Sequence, residues 1–321
     1  MKKIDFHCHI YHPKEYEALQ SWMSSRMLNP HFWMTAPSMG PSVLKSIMDE
    51  TGFDYCVNLP VARIPKKTSI DDSVKEKILF AEEVNRIPGL ISLGTLHPEQ
   101  KNVEDHIKSL KDKGFRGVKL HPYFQRFDPA AGSMKKVWRE LSSCGLFVLI
   151  DNYGMVGVPD EHKTTPEKTA RILMDFPDLV LISPHLGGIG WFRDEEVFEF
   201  LVEKKFGNLY MDISNTFTHY KSTDDEDRDI LSSLQIEIDE NQCGTDLHKE
   251  KKREFSRRYA VSKGTMIEII RKVGTDRILF GTDWPSYFLD QEEKRIRDLG
   301  LTPEEESQIF YENAARLLKI S

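Results

Sequence analysis

Eight short apolar runs punctuate this chain, and nearly every one ends on a polar residue before sequence with helical periodicity begins. The first, Ile4 to Ile10, alternates apolar Ile4, Phe6, Cys8 and Ile10 with His7 and His9. Period-two alternation predicts a strand with one apolar face and one polar face, so both histidines project to the same side. Further strands are expected at Asp54–Pro60, Leu90–Pro98, Gly117–Pro122, Leu146–Asp151, Leu179–His185, Leu209–Ser214 and Arg277–Asp283. Between them, Ser42–Thr51, Ile70–Asn85, Val103–Lys113, Met134–Cys144 and Pro166–Phe176 carry the apolar spacing of amphipathic helices. Thr302-Pro303-Glu304-Glu305 is a capping-box signature opening a last helix through Ile309, Phe310, Ala314 and Leu317.

Alternating strands and helices imply parallel strands with crossover helices, and eight strands close a (β/α)8 TIM barrel. The expected architecture is therefore one α/β barrel domain over residues 1–321, with insertions after strands 1 and 7 at 11–41 and 215–263. The first insertion is rich in Met and aromatic residues, as suits a lid or a cover for the barrel end. The second carries charge runs that read as a solvated face.

In such a barrel the C-terminal strand ends surround one mouth, where active sites lie. His97, His121, Asp151, His185, Asp212 and Asp283 end strands three to eight, and His7 and His9 sit near the end of the first. Their recurrence at one rim points to a shared polar site. Two imidazoles two residues apart on a strand can share one divalent cation. Lys119 has the strand parity of His121, so both should face the same side, where Lys119 pairs with a carboxylate or meets substrate. Arg26 in the first insertion and Arg63 after the second strand are further cations for an anionic substrate, and His97 and His121 are candidate pocket-lining residues.

Net charge is −7 without an extended basic block, which argues against nucleic acid as the main partner. No stretch approaches the length of a membrane span and the N-terminus lacks a signal-peptide core, so a cytoplasmic protein is expected. The four cysteines are widely spaced and form no Cys-x-x-Cys pair, so neither a zinc ribbon nor a disulfide framework is suggested.

Asp5-Phe6-His7-Cys8-His9, Gly117-Val118-Lys119-Leu120-His121-Pro122, Pro184-His185-Leu186-Gly187-Gly188, Gly281-Thr282-Asp283-Trp284-Pro285 and Asn313-Ala314-Ala315-Arg316-Leu317-Leu318 together form a recognisable set. The chain resembles the amidohydrolase-related proteins of the metal-dependent hydrolase superfamily, a group that includes the aminocarboxymuconate-semialdehyde decarboxylase type. That resemblance implies one divalent metal, commonly zinc, held by His7, His9 and Asp283, with His185 as acid/base; manganese is the alternative if Asp151 also ligates. It also implies a ligand at the end of the fifth strand, where the family commonly has His and this chain has Asp151. A carboxylate there favours harder metals. TatD-type nucleases share the opening His-x-His but usually place Glu before Thr-Asp-x-Pro, where this chain has Gly281.

The expected function is a metal-dependent hydrolase that directs activated water at an amide, ester or lactone of a small organic molecule, with Asp283 as proton acceptor. A non-oxidative decarboxylase of an aromatic or dienoic acid uses the same residues and is the alternative. A catalytically silent ligand-binding barrel is the third reading. The oligomeric state is left open by the sequence, with a homodimer one assembly the resemblance allows.

Overall fold

A computed structural model describes residues 1–24, 34–36, 38–64, 68–152, 159–187, 206–216, 240–259 and 262–320. Its strands are β1 (Ile4–Cys8), β2 (Tyr55–Asn58), β3 (Leu90–Ser92), β4 (Gly94–Thr95), β5 (Gly117–Leu120), β6 (Phe147–Ile150), β7 (Leu181–Ser183), β8 (Leu209–Asp212) and β9 (Ile278–Leu279). Every paired neighbour is parallel, in the orders β1-β2-β3 and β4-β5-β6-β7-β8-β9. The expected third strand is thus delivered as β3 and β4 on either side of Leu93, whose N–H donates to the Asn58 carbonyl at 3.0 Å. The two ends of the strand series meet through backbone bonds from Phe6 N to Phe280 O (2.8 Å), Asp283 N to His7 O (2.8 Å) and His9 N to Trp284 O (2.7 Å). The architecture is the parallel α/β barrel that the alternation implies, although its ladder is not continuous.

Strand alternation sorts the core into two shells. Ile4, Phe6, Val57, Leu59, Leu93, Phe147, Leu149, Ile182, Tyr210 and Leu279 form the inner one, closed by Ala314, Ala315 and Leu318 of the last helix. Their neighbours Cys8, Cys56, Val118, Leu120, Val148, Ile150, Leu181 and Met211 pack outward with the surrounding helices. Gly117 belongs to this geometry, because a Cβ there would lie 2.4 Å from two carbons of the Phe147 ring. Only glycine leaves room for that ring beneath the barrel mouth.

The single apolar face expected for the first strand is corrected here. Asp5 pairs with Cys56 and Cys8 with Asn58, so three steps on β1 face two on β2. That one-residue bulge changes the parity of the strand. Ile4 and Phe6 therefore fill the inner shell below the histidines, whereas Cys8 and Ile10 belong to the outer one.

The predicted helices form with small changes at their ends, as Pro41–Thr51, Ile70–Val84, Val103–Asp112, Lys135–Ser143 and Pro166–Asp175. Ser69 and Thr165 cap two of them, and the Thr302–Glu305 capping box has both reciprocal bonds. The insertions carry helices of their own, Pro13–Ser24 and Asp246–Tyr259. Both insertions seat on the segment that follows Asp283. Thr35 N donates to Pro285 O (2.7 Å), Cys243 Sγ to Met34 O (2.9 Å), and Lys249 Nζ pairs with Asp290 (2.9 Å). His248 packs edge-on against Phe288 with ring centroids 5.2 Å apart, and the Lys252 ammonium lies 4.6 Å from the centre of the Tyr287 ring. The acidic run Asp224–Asp229 lies outside the described residues, as does Arg26. Among the described residues, no helix is long and apolar enough to cross a membrane.

Candidate active site

The bulge in β1 brings His7 and His9 to the barrel mouth, and the backbone bond from Asp283 N to His7 O draws the end of the last strand against them. The result is a triangle of three potential ligand atoms. His7 Nε2 and His9 Nε2 are 3.3 Å apart, and Asp283 Oδ1 lies 3.5 Å from the first and 3.2 Å from the second.

Each imidazole is fixed by its other nitrogen. His7 Nδ1–H donates to Asp212 Oδ2 at 2.8 Å, and His9 Nδ1–H donates to the Leu59 carbonyl at 3.1 Å. Both Nε2 lone pairs therefore face a carboxylate oxygen, an arrangement that repels itself unless a cation is shared. A tetrahedral ion with ligand bonds of about 2.0–2.2 Å sets neighbouring ligands about 3.3–3.6 Å apart, which is the size of this triangle. The residues present fit a divalent metal. Among the described residues, no other His, Cys, Asp or Glu ligand atom lies within 4.8 Å of all three.

Asp212, which ends β8, organises what stands behind the triangle. Its Oδ1 accepts from His185 N (3.1 Å), Ser214 N (3.0 Å) and Ser214 Oγ (2.5 Å), while Oδ2 holds His7. Burial works against its ionisation, but His7 and Ser214 outweigh it and lower the carboxyl to about 2. For His7, burial outweighs the attraction of Asp212 and lowers the imidazole to about 4, so it is neutral and ready to ligate at neutral pH. Burial also opposes ionisation of Asp283, yet His9, His7 and His185 hold its carboxyl well below the usual range. Asn215 Nδ2 donates to Asp283 Oδ2 at 2.7 Å, which leaves Oδ1 turned to the histidines.

His185 stands beside His7, with ring centroids 4.9 Å apart. Its Nδ1–H donates to the Ser214 carbonyl at 2.9 Å, so Nε2 is the nitrogen left for chemistry.

Asp151 stands apart from the triangle. Its Oδ2 accepts from Lys119 Nζ at 2.9 Å, and its Oδ1 is 3.6 Å from His121 Nε2. Despite burial, His121 and Lys119 keep Asp151 ionised well below the usual carboxylate range. Lys119 and His121 do face the same side, as their parity requires. Arg63 lies beside them, its guanidinium 4.2 Å from the centre of the Phe124 ring, which in turn packs 4.2 Å from the His121 ring. His97 is not brought in. Its Nε2–H donates to Gln125 O (2.9 Å) and its Nδ1 accepts from Glu99 N (3.1 Å), so both ring nitrogens are committed to the backbone.

Ser214 and Asn215 have no motif to announce them. Ser214 shares the strand parity of Asp212, and that alternation is the signal that places it at the mouth.

The amidohydrolase family model matches residues 4–320. No curated protein sequence matches the chain. Among solved structures, 2,6-dihydroxybenzoate decarboxylase from Rhizobium superposes with a TM-score of 0.65 at 15% identity, covering 99% of both chains. The uncharacterised TIM-barrel protein Bb4693 from Bordetella bronchiseptica gives 0.64 at 18%, again over 99% of both. The 5-carboxyvanillate decarboxylase LigW from Sphingomonas paucimobilis gives 0.61 at 12%, over 100% of this chain and 99% of that one. At such identities the likeness is one of fold.

Proposed function

This chain belongs to the amidohydrolase family, and from that premise we propose that it is a metal-dependent hydrolase acting on an amide, ester or lactone of a small organic substrate. The observation that carries this reading is the triangle of His7 Nε2, His9 Nε2 and Asp283 Oδ1, with edges of 3.2–3.5 Å. Those three residues would hold the ion, zinc in the first instance and manganese as the alternative. Bound there, the ion supplies a Lewis acid for a carbonyl oxygen and lowers the pKa of a coordinated water toward about 7.

The remaining work falls to the chain. Asp283 Oδ2, held by one hydrogen bond from Asn215, has a lone pair left to accept a proton from the attacking water. His185, whose Nδ1–H is tied to Ser214 O, would use Nε2 to pass a proton to the departing group. Asp212 keeps His7 in the tautomer whose Nε2 can ligate.

A second reading, non-oxidative decarboxylation of an aromatic or dienoic acid, is favoured by the cations Arg63 and Lys119 at the His121 side of the mouth. The two decarboxylases of the same fold point the same way. There the His185 proton would go to the carbon that loses carbon dioxide.

The test is a screen of zinc-loaded protein against nitrophenyl esters, lactones, anilides and aromatic acids. Product analysis separates a newly formed carboxylate from released carbon dioxide. Hydrolysis that disappears in His9→Ala and slows in His185→Asn supports the first reading. Carbon dioxide release with the same dependence replaces it by the second. No turnover of any substrate by fully loaded protein overturns both.

A further inference from the structure

Paired with Asp151, apart from the triangle, lies a buried charge that takes no part in the proton transfers of either reading. Lys119 is fully buried on the inner face of β5, in register with Thr95 of β4 and Leu149 of β6. Its ammonium has three N–H donors, and among the described residues its one hydrogen-bond acceptor is Asp151 Oδ2, at 2.9 Å. Among the described residues, two donors of a desolvated cation therefore lack an acceptor, an arrangement that is costly in a structural ion pair and useful in a binding site. Most buried lysines that serve only packing are better satisfied.

The position fits a ligand. Lys119 and His121 approach the two oxygens of one carboxylate, Asp151, at 2.9 and 3.6 Å, so the ammonium stands at the His121 side of the mouth. Asp151 keeps 6% exposure while Lys119 has none, so the carboxylate lies on the open side of the pair. Asp151 is also a divided partner, because its second oxygen lies 3.6 Å from His121 Nε2.

We propose that Lys119 is an anion-binding residue that takes a carboxylate group of the substrate, with Asp151 as the internal carboxylate it holds when no ligand is present. Asp151 would then tune affinity by competing with the ligand for the same ammonium. The substrate class narrows from any small carbonyl compound to one that also bears a carboxylate. This deepens the hydrolase reading and rests on it for what happens next to the bound carboxylate. The binding itself needs no metal.

The test is calorimetric titration of benzoate and of its neutral isostere benzamide into zinc-free and zinc-loaded protein, with zinc content measured for every variant. Zinc-free parent protein should bind benzoate at least about tenfold more tightly than benzamide, the scale of one charge-assisted contact. K119M/D151L removes the buried pair together, so that neither charge is stranded. It should fold, keep its zinc and lose the preference. D151N frees the ammonium and should tighten benzoate by about tenfold while leaving benzamide unchanged.

A benzoate preference that survives in K119M/D151L overturns the proposal. So does loss of zinc in D151N, because Asp151 would then be a metal ligand and Lys119 only its support. If the parent takes up no zinc, the hydrolase reading fails by itself, and the contrast between benzoate and benzamide in zinc-free protein still decides the role of Lys119.

Discussion

Gly281 and His7 approach so closely that a Cβ on Gly281 would lie 2.8 Å from His7 Cβ and 3.2 Å from Ser214 Cβ. The last strand can press against the first only because residue 281 has no side chain. Gly281→Ala must therefore push His7 out of the triangle or open the seam between the two strands. Overpacking of this kind costs about 1–3 kcal/mol. Denaturant unfolding should show that loss, and chelator competition should show weaker zinc binding. Unchanged zinc affinity would mean that the seam relaxes without moving His7.

Asp212 holds His7 Nδ1–H at 2.8 Å and also takes three hydrogen bonds from His185 and Ser214. Asp212→Asn keeps the shape and removes the charge behind the ligand. Zinc affinity should fall by about 10–100-fold, the usual cost of losing such a supporting carboxylate. Competition with a chromophoric chelator measures it directly.

The pH dependence of the metal-free protein carries the mark of its buried histidines. Burial, which outweighs the neighbouring Asp151, lowers His121 to about 3 from an ordinary 6.5. Between those values the unfolded chain binds the extra proton, so His121 contributes stability that is complete above pH 6.5 and is lost as pH falls toward 3. Asp5 has the opposite sign. Burial raises it to about 7 despite bonds from Thr282 and His7, so its contribution is complete at low pH and is lost as pH rises from about 4 to about 7. His121→Gln should remove about one proton, or about 1.4 kcal/mol per pH unit, from the slope of stability between pH 4 and 6. Urea titrations at intervals across that range test it, and an unchanged slope would mean that His121 is not desolvated in the native state.

Much of this site is legible in the amino-acid sequence. Strand parity puts His7 and His9 on one side, and the strand-end rule collects Asp151, His185 and Asp283 at one rim. The Thr302–Glu305 capping box is visible from four residues, because its chemistry is local. What stays hidden depends on contacts between distant segments. The β1 bulge is set by pairing with β2, so the alternation of Ile4, Phe6, Cys8 and Ile10 suggests one face where there are two. His97 ends a strand like the others but spends both ring nitrogens on its own loop and the Gln125 carbonyl. Gly281 gives no sign in sequence of the neighbour that forbids a side chain. The docking of both insertions onto the segment after Asp283, carried by Thr35 and Lys249, is likewise a tertiary fact, as is the bond from Cys243 to Met34 that joins the two insertions.

The central claim is that His7, His9 and Asp283 hold a divalent metal. Elemental analysis of protein purified without added metal or chelator, and again after incubation with zinc or manganese, tests it most directly. His9→Ala and Asp151→Ala should be prepared alongside. The account predicts about one ion per chain in the parent and in Asp151→Ala, and none in His9→Ala. Loss in Asp151→Ala as well would make Asp151 a fourth ligand. A parent protein that takes up neither metal would contradict the claim, and the hydrolase reading with it.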